Sequence, residues 1–154
     1  MSKIQPVKLN NNGFSLVEVL VASVIVLLVF FALMQTALIA IESNMLNELR
    51  NEAIYIAQLR MNNVRDMTYT SIVSDSASLS SCDCPAGFYS SGECISRNVR
   101  SLSYNYCTNL SCTELSGDGN CATNDADNKQ ITITVGWKWK GNNYTHVIST
   151  IRNR

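Results

Sequence analysis

The sequence predicts an α+β fold, in which a long N-terminal α-helix packs on a small antiparallel β-sheet and a disulfide-rich loop region lies between the two in the chain. Three observations predict it. An apolar run from Phe14 to Ile41 continues into a helical pattern with no Pro or Gly up to Asp66. A segment from Gln130 to Lys140 alternates apolar and polar residues, and a second strand-like stretch runs from Tyr144 to Ile151. All six cysteines fall between Cys82 and Cys121. A chain of 154 residues, 46% of them hydrophobic, suits one ordinary globular domain beside the apolar run.

The first 66 residues divide into three stretches. Residues 1–13 read MSKIQPVKLNNNG, polar with Lys3 and Lys8 as the only charges. The run from Phe14 exceeds the roughly 20 residues that a membrane-spanning helix needs. A secretory signal has a shorter core, about 7–15 residues, closed by a small-residue cleavage site. Leu38-Ile39-Ala40 is not such a site. Two lysines precede the run and no base follows it until Arg50. That asymmetry predicts a single pass with a cytoplasmic N-terminus and the bulk of the chain outside. Further on, Ile41, Met45, Leu49, Ala53, Ile56, Leu59 and Val64 recur at threes and fours. They form one apolar face of an amphipathic helix, which needs cover on one side only.

Glu18 is the only charged residue between Phe14 and Ile41. An acid in a membrane helix is costly, about 2.5–3.5 kcal/mol at the centre, and marks function by default. Near the helix start it can reach water, which lowers the cost. What precedes it gives it meaning. The segment Gly13-Phe14-Ser15-Leu16-Val17-Glu18-Val19-Leu20-Val21-Ala22 resembles the prepilin motif of type IV pilins, minor pilins and type II secretion pseudopilins. The resemblance implies cleavage after Gly13 by a prepilin peptidase that also N-methylates Phe14. It makes Glu18 the fifth mature residue and an assembly residue, paired with the α-amine of a neighbouring subunit. Elementary chemistry agrees. Gly13 offers no side chain to obstruct a protease. Glu18 lies one turn from Phe14 on the same helix face, in the first turn, where the helix dipole favours a carboxylate.

The expected organisation is therefore a leader over residues 1–13, a transmembrane or filament-core helix over residues 14–43, and a periplasmic or extracellular globular domain over residues 44–154. Beyond the helix, Tyr69 to Leu79 is Ser/Thr-rich and reads as a connection. From Cys82 to Cys121, turn residues and cysteines predict short irregular strands and loops. In the last segment Ile131, Ile133, Val135, Trp137 and Trp139 share one face, while Thr132, Thr134, Lys138 and Lys140 share the other. Gly141-Asn142-Asn143 is the expected turn of this hairpin.

Cys82, Cys84, Cys94, Cys107, Cys112 and Cys121 are even in number and follow a membrane-spanning stretch, so an oxidising compartment and three disulfides are expected. Six cysteines allow fifteen pairings, and spacing does not choose among them. The rival is zinc, raised by Cys82-Asp83-Cys84, but that spacing is not the usual C-x₂₋₄-C and no histidine lies near it.

The layout is most similar to PilV-type minor pilins: long helix, connecting loop, antiparallel sheet, and Ala57-Gln58-Leu59-Arg60-Met61 in the helix. The apolar segment lacks the kinking proline frequent in major pilins, and every cysteine precedes the final hairpin. Both departures favour a minor component. The resemblance implies a structural role in inserting into or initiating a pilus. Its alternatives are a minor pseudopilin and a tip subunit that binds a surface ligand or DNA. The implied partners are other pilin subunits, the prepilin peptidase and N-methyltransferase, and the inner membrane before assembly.

No enzyme constellation is visible, and no cofactor or metal is expected. His146 is the only histidine and has no paired carboxylate near it in sequence. Asp118-Gly119-Asn120 and Asn124-Asp125-Ala126-Asp127-Asn128 are oxygen-rich but do not complete a twelve-residue calcium loop. Trp137, Lys138, Trp139, Lys140 and Tyr144 combine aromatic and basic residues as a nucleic-acid surface does. Their alternation instead places Trp toward a core and Lys toward water.

Overall fold

The computed structural model describes residues 15–123 and 127–154. It contains helix α1 (Leu16–Asp66), a one-turn 3₁₀ helix (Tyr69–Ser71), and strands β1 (Glu93–Val99), β2 (Leu102–Glu114), β3 (Asn128–Trp139) and β4 (Asn142–Asn153). The strands form one antiparallel meander in the order β1-β2-β3-β4. The chain divides into two compact units between Ser43 and Asn44.

Helix α1 starts where the Ser15 carbonyl accepts the N–H groups of Glu18 (3.0 Å) and Val19 (3.2 Å). At its other end Arg152 of β4 donates from Nη1 to the carbonyls of Val64 (2.9 Å) and Arg65 (2.7 Å). Those carbonyls have no partner within a helix, and a cation there also suits the dipole. The C-terminal strand thereby caps the end of the helix.

Within the second unit Leu49, Ala53, Ile56, Ala57, Met61 and Val64 are buried. They pack in one core with Tyr106, Leu110, Ile131, Ile133, Val135 and Trp137 of the sheet. Leu59, expected on this face, is 41% exposed. At 3.6 residues per turn it lies about 130° from the middle of the buried stripe, and Ala57 and Met61 take its place. Tyr106 spans the core, with its hydroxyl donating to the Leu49 carbonyl at 3.1 Å. Trp137 stacks on Tyr144, with centroids 5.6 Å apart.

The cysteine-containing region departs from expectation. Two of the four strands lie within it, and β2 is 13 residues long. Both faces of β2 and β3 are covered, so an apolar/polar alternation never develops in the Asn-, Ser- and Thr-rich β2. Thr134 is only 6% exposed, although its row was expected to face water. Gly136 shows why: a Cβ there would meet the Phe88 ring at 2.8 Å and Pro85 at 3.0 Å. The loop after Cys84 lies over this face of the sheet. The final hairpin turns one residue earlier than expected, at Lys140-Gly141, both with positive φ (49° and 78°). Such a two-residue turn matches the twist of paired strands, and Asn142 and Asn143 belong to β4.

Gly92 fixes the entry to β1. Its φ is +148°, its N–H donates to the Ala77 carbonyl at 2.7 Å, and a Cβ would lie 1.9 Å from the Thr108 carbonyl oxygen. Backbone, not a flexible side chain, is in the way. Gly92→Ala is expected to cost about 3 kcal/mol or more, at the upper end of single substitutions. Thermal melts of the full chain in detergent measure this; an unchanged melting temperature would show that β1 and β2 separate there without penalty.

Candidate functional site

Gly13 and Phe14, the expected cleavage and methylation residues, lie outside the described residues. Glu18 sits in the first turn of α1. Around it every large apolar side chain from Leu16 to Ile41 is exposed, from 51% at Met34 to 77% at Leu16. The hydroxyls in this stretch are satisfied locally: Ser23 donates to the Leu20 carbonyl (2.8 Å) and Thr36 to the Ala32 carbonyl (3.0 Å). A helix closed in this way presents a largely apolar surface, with Gln35 as its one amide and Glu18 as its one charge. It is long and apolar enough to cross a membrane. Lipid tails or other apolar helices are the surroundings that such a surface fits.

The globular unit carries its polar groups as internal ties. The six cysteines form three bridges: Cys82–Cys94, Cys84–Cys107 and Cys112–Cys121. The first two join the loop after Leu79 to β1 and β2, and the third joins β2 to the segment before β3. Arg60 reaches from α1 to both carboxylate oxygens of Asp75 (2.8 and 2.7 Å) and to the Thr108 hydroxyl. Asp75 also accepts the Leu110 N–H at 2.7 Å. A cleft beside this pair, about 420 Å³, is lined by Val64, Ile72, Val73 and Leu110 among others. Arg60 and Asp75 are committed to one another, so they tie the connection after α1 to β2.

Lys129 is fully buried at the start of β3. Its ammonium donates to the carbonyls of Tyr69 (3.1 Å), Ile72 (3.2 Å) and Cys121 (2.9 Å) and lies over the Tyr69 ring. Burial pulls its pKa below the usual lysine range, and the nearby Glu114 carboxylate opposes that shift. Reading the sequence as a surface-to-core alternation missed this residue. A signal existed, because position 129 has the same parity as Ile131, Ile133, Val135 and Trp137 and therefore faces the core.

The aromatic and basic residues of the last hairpin largely make contacts within the fold. Trp137 is 2% exposed and shares the core with Tyr106 and Tyr144. Lys138 pairs with Asp83 at 2.5 Å, and Lys140 lies over the ring of Trp139. His146 stands in β4 opposite Val135, which offers it no titratable partner. In the acidic loop Asp118 accepts from the Asn120 N–H (2.8 Å) and the Thr123 hydroxyl (3.1 Å). Asn124, Asp125 and Ala126 lie outside the described residues.

Residues 8–34 match the family model described as the prokaryotic N-terminal methylation motif. That span includes Gly13, Phe14 and Glu18. No curated protein and no solved structure matches the chain. The motif, the apolar helix and the disulfide-tied sheet support a prepilin of the type IV pilin-like kind, a class that includes the pseudopilins.

Proposed function

We propose that this chain is a minor pilin. In this reading the leader is removed after Gly13, Phe14 becomes the N-methylated first residue, and α1 passes from the inner membrane into a filament. The observation that carries the reading is Glu18, a single charge at the start of a helix whose apolar surface is exposed all round, inside a methylation-motif match. A signal anchor needs no acid there. A filament packed from such helices does, because each new α-amine brings a cation into apolar surroundings and seeks an opposite charge. The globular unit supports the same role. Its cross-ties from α1 to the sheet, Arg60 to Thr108 of β2 and Arg152 of β4 to the helix end, suit a rigid part that transmits load. The absence of a kinking proline in residues 14–41 and the position of all six cysteines before the last hairpin favour a minor over a major subunit.

The test is the mature N-terminus. Mass spectrometry of the chain purified from its membrane or filament fraction is expected to find N-methyl-Phe14. A chain that keeps Met1, or one that begins near Ile41, would overturn the assignment. Gly13→Val is expected to leave the leader in place, since it puts a branched side chain where the peptidase backbone must approach.

A further inference from the structure

The two edges of the sheet differ in how they are guarded. Strand β1 is seven residues long, carries Glu93 and Arg97, and is bridged at Cys94 to Cys82 of the preceding loop. Ser78 of the same connection pairs with Ser91, just ahead of the strand. Strand β4, at the other edge, has β3 on one side and no strand on the other among the described residues. It pairs with β3 without interruption from Asn142 to Asn153, over 12 residues or about 40 Å. It contains no proline, no lysine and no bulge, the devices by which edge strands avoid a partner.

The hairpin geometry determines which backbone groups are left over. Lys140-Gly141 is a two-residue turn with both φ positive, so Trp139 and Asn142 are the hydrogen-bonded pair that closes it. Bonded pairs recur at every second residue. The N–H and C=O groups of Tyr144, His146, Ile148, Thr150 and Arg152 therefore face β3. Those of Asn143, Thr145, Val147, Ser149 and Ile151 point away from the sheet. The side chains of these five residues are exposed, Val147 at 53% and Ile151 at 61%. A row of unpaired donors and acceptors with β-branched side chains along it is the surface that an added extended strand completes.

Charge and parity narrow the choice of partner. From Lys129 to Arg154 the chain has five bases, one histidine and no acid. A second copy of β4 would bring the same bases. His146 and Arg152 lie on the α1 side of β4, in the parity of the core row of β3, while Val147 and Ile151 lie on the opposite face. Residues directly opposite one another share a face, so a strand docked here suits acids at one parity and apolar residues at the other. We propose that the open edge of β4 takes up an extended segment of another protein, alternately apolar and acidic, as an added strand. Such pairing involves the globular unit alone and is independent of the filament role.

The experiment adds a blocked, fluorophore-tagged peptide, Val-Glu-Val-Glu-Val-Glu-Val-Glu-Val, to the full chain in detergent at low salt. A saturable rise in anisotropy is expected, with slowed amide exchange at Thr145, Val147, Ser149 and Ile151. A peptide with lysine in place of every glutamate should bind about tenfold more weakly or worse, because it sets like charges opposite Arg152. Val147→Pro and Ser149→Pro each remove an N–H that β3 does not use. Circular dichroism of these variants should match the wild type while peptide binding is lost, and whichever proline leaves the fold intact reads the result. Four outcomes would each overturn the proposal: no saturable binding to the wild type, undiminished binding to a folded proline variant, equal binding of the lysine peptide, or a dimer in light scattering that Val147→Pro dissociates, which would make the occupant a second copy.

Discussion

Glu18→Ala is expected to remain in the membrane at wild-type level and to disappear from sheared filaments. The two outcomes have opposite physical causes. Membrane insertion depends on the apolar run, and removing an acid makes that run more apolar. Filament entry, in the proposed reading, depends on a charge pair between Glu18 of one subunit and the α-amine of a neighbour. The alanine variant leaves that amine in apolar surroundings with no counter-charge. Breaking a buried pair typically costs about 3–5 kcal/mol, a factor of roughly 100 or more in an association constant. A loss of that size removes a subunit that competes for places with others. Glu18→Gln separates charge from size: it keeps the shape and should fail as the alanine variant does. Comparing membrane and sheared fractions by immunoblot reads the result. Equal recovery of Glu18→Ala in both fractions would show that Glu18 does not direct assembly, and leader cleavage measured on the same samples keeps a processing defect from being mistaken for an assembly defect.

How much of this was legible in the sequence depended on how one-sided each element is. The helix was readable almost to its ends because nothing between Phe14 and Asp66 breaks it and because Leu49, Ala53, Ile56 and Val64 keep one face. The last hairpin was readable because one face of β3 is apolar at every second residue. Strands β1 and β2 were hidden for the opposite reason. β2 is covered on both faces: Tyr106, Thr108 and Leu110 share one face, and on the other Cys107 is bridged to Cys84 and Asn109 donates to the Ser91 carbonyl, so its buried positions run consecutively from Tyr106 to Leu110. Three of the cysteines that suggested loops, Cys94, Cys107 and Cys112, are strand residues, and Cys94 faces Cys107 across the β1–β2 pair. Pairing could not be read because it follows from that register, which is a tertiary fact. The charged ties were harder to see. Arg60 looks like a solvated charge in one dimension and Lys129 is marked only by its parity with the core row of β3; the connection after α1 supplies Asp75 to the first and two carbonyls to the second, and Cys121 supplies the third.

Lys129→Met is expected to destabilise the globular unit by about 3–5 kcal/mol, the usual cost of removing one member of a buried polar constellation. Methionine keeps much of the length and the apolar stem, so the effect isolates the ammonium. Three carbonyls, those of Tyr69, Ile72 and Cys121, lose the ammonium at once, Tyr69 keeping the Ile72 N–H at 3.4 Å, and a buried acceptor left without a donor costs about 1–3 kcal/mol. Glu114, 4% exposed, also loses a nearby positive charge. The three carbonyls belong to the 3₁₀ turn after α1, its following residue and the middle of the β2–β3 connection, so the loss should be felt as detachment of those segments from β3. The pH dependence gives an independent check. Burial lowers the Lys129 pKa in the folded chain, so between that value and the ordinary lysine pKa of about 10.4 the unfolded chain binds a proton that the folded chain does not. Stability linked to this group therefore rises with pH in that window and is flat well below it, where both states are protonated. A neutral amine still donates two hydrogen bonds, which keeps the tie in place as the proton leaves. Thermal melts of wild type and Lys129→Met in detergent, at neutral pH and just below the ordinary lysine pKa, should therefore show a gap that is large at neutral pH and wider at the alkaline point. A variant that melts with the wild type at both pH values would show that the ammonium carries no net stability, and a gap that narrows with pH would show that the folded chain holds the proton more tightly than the unfolded one.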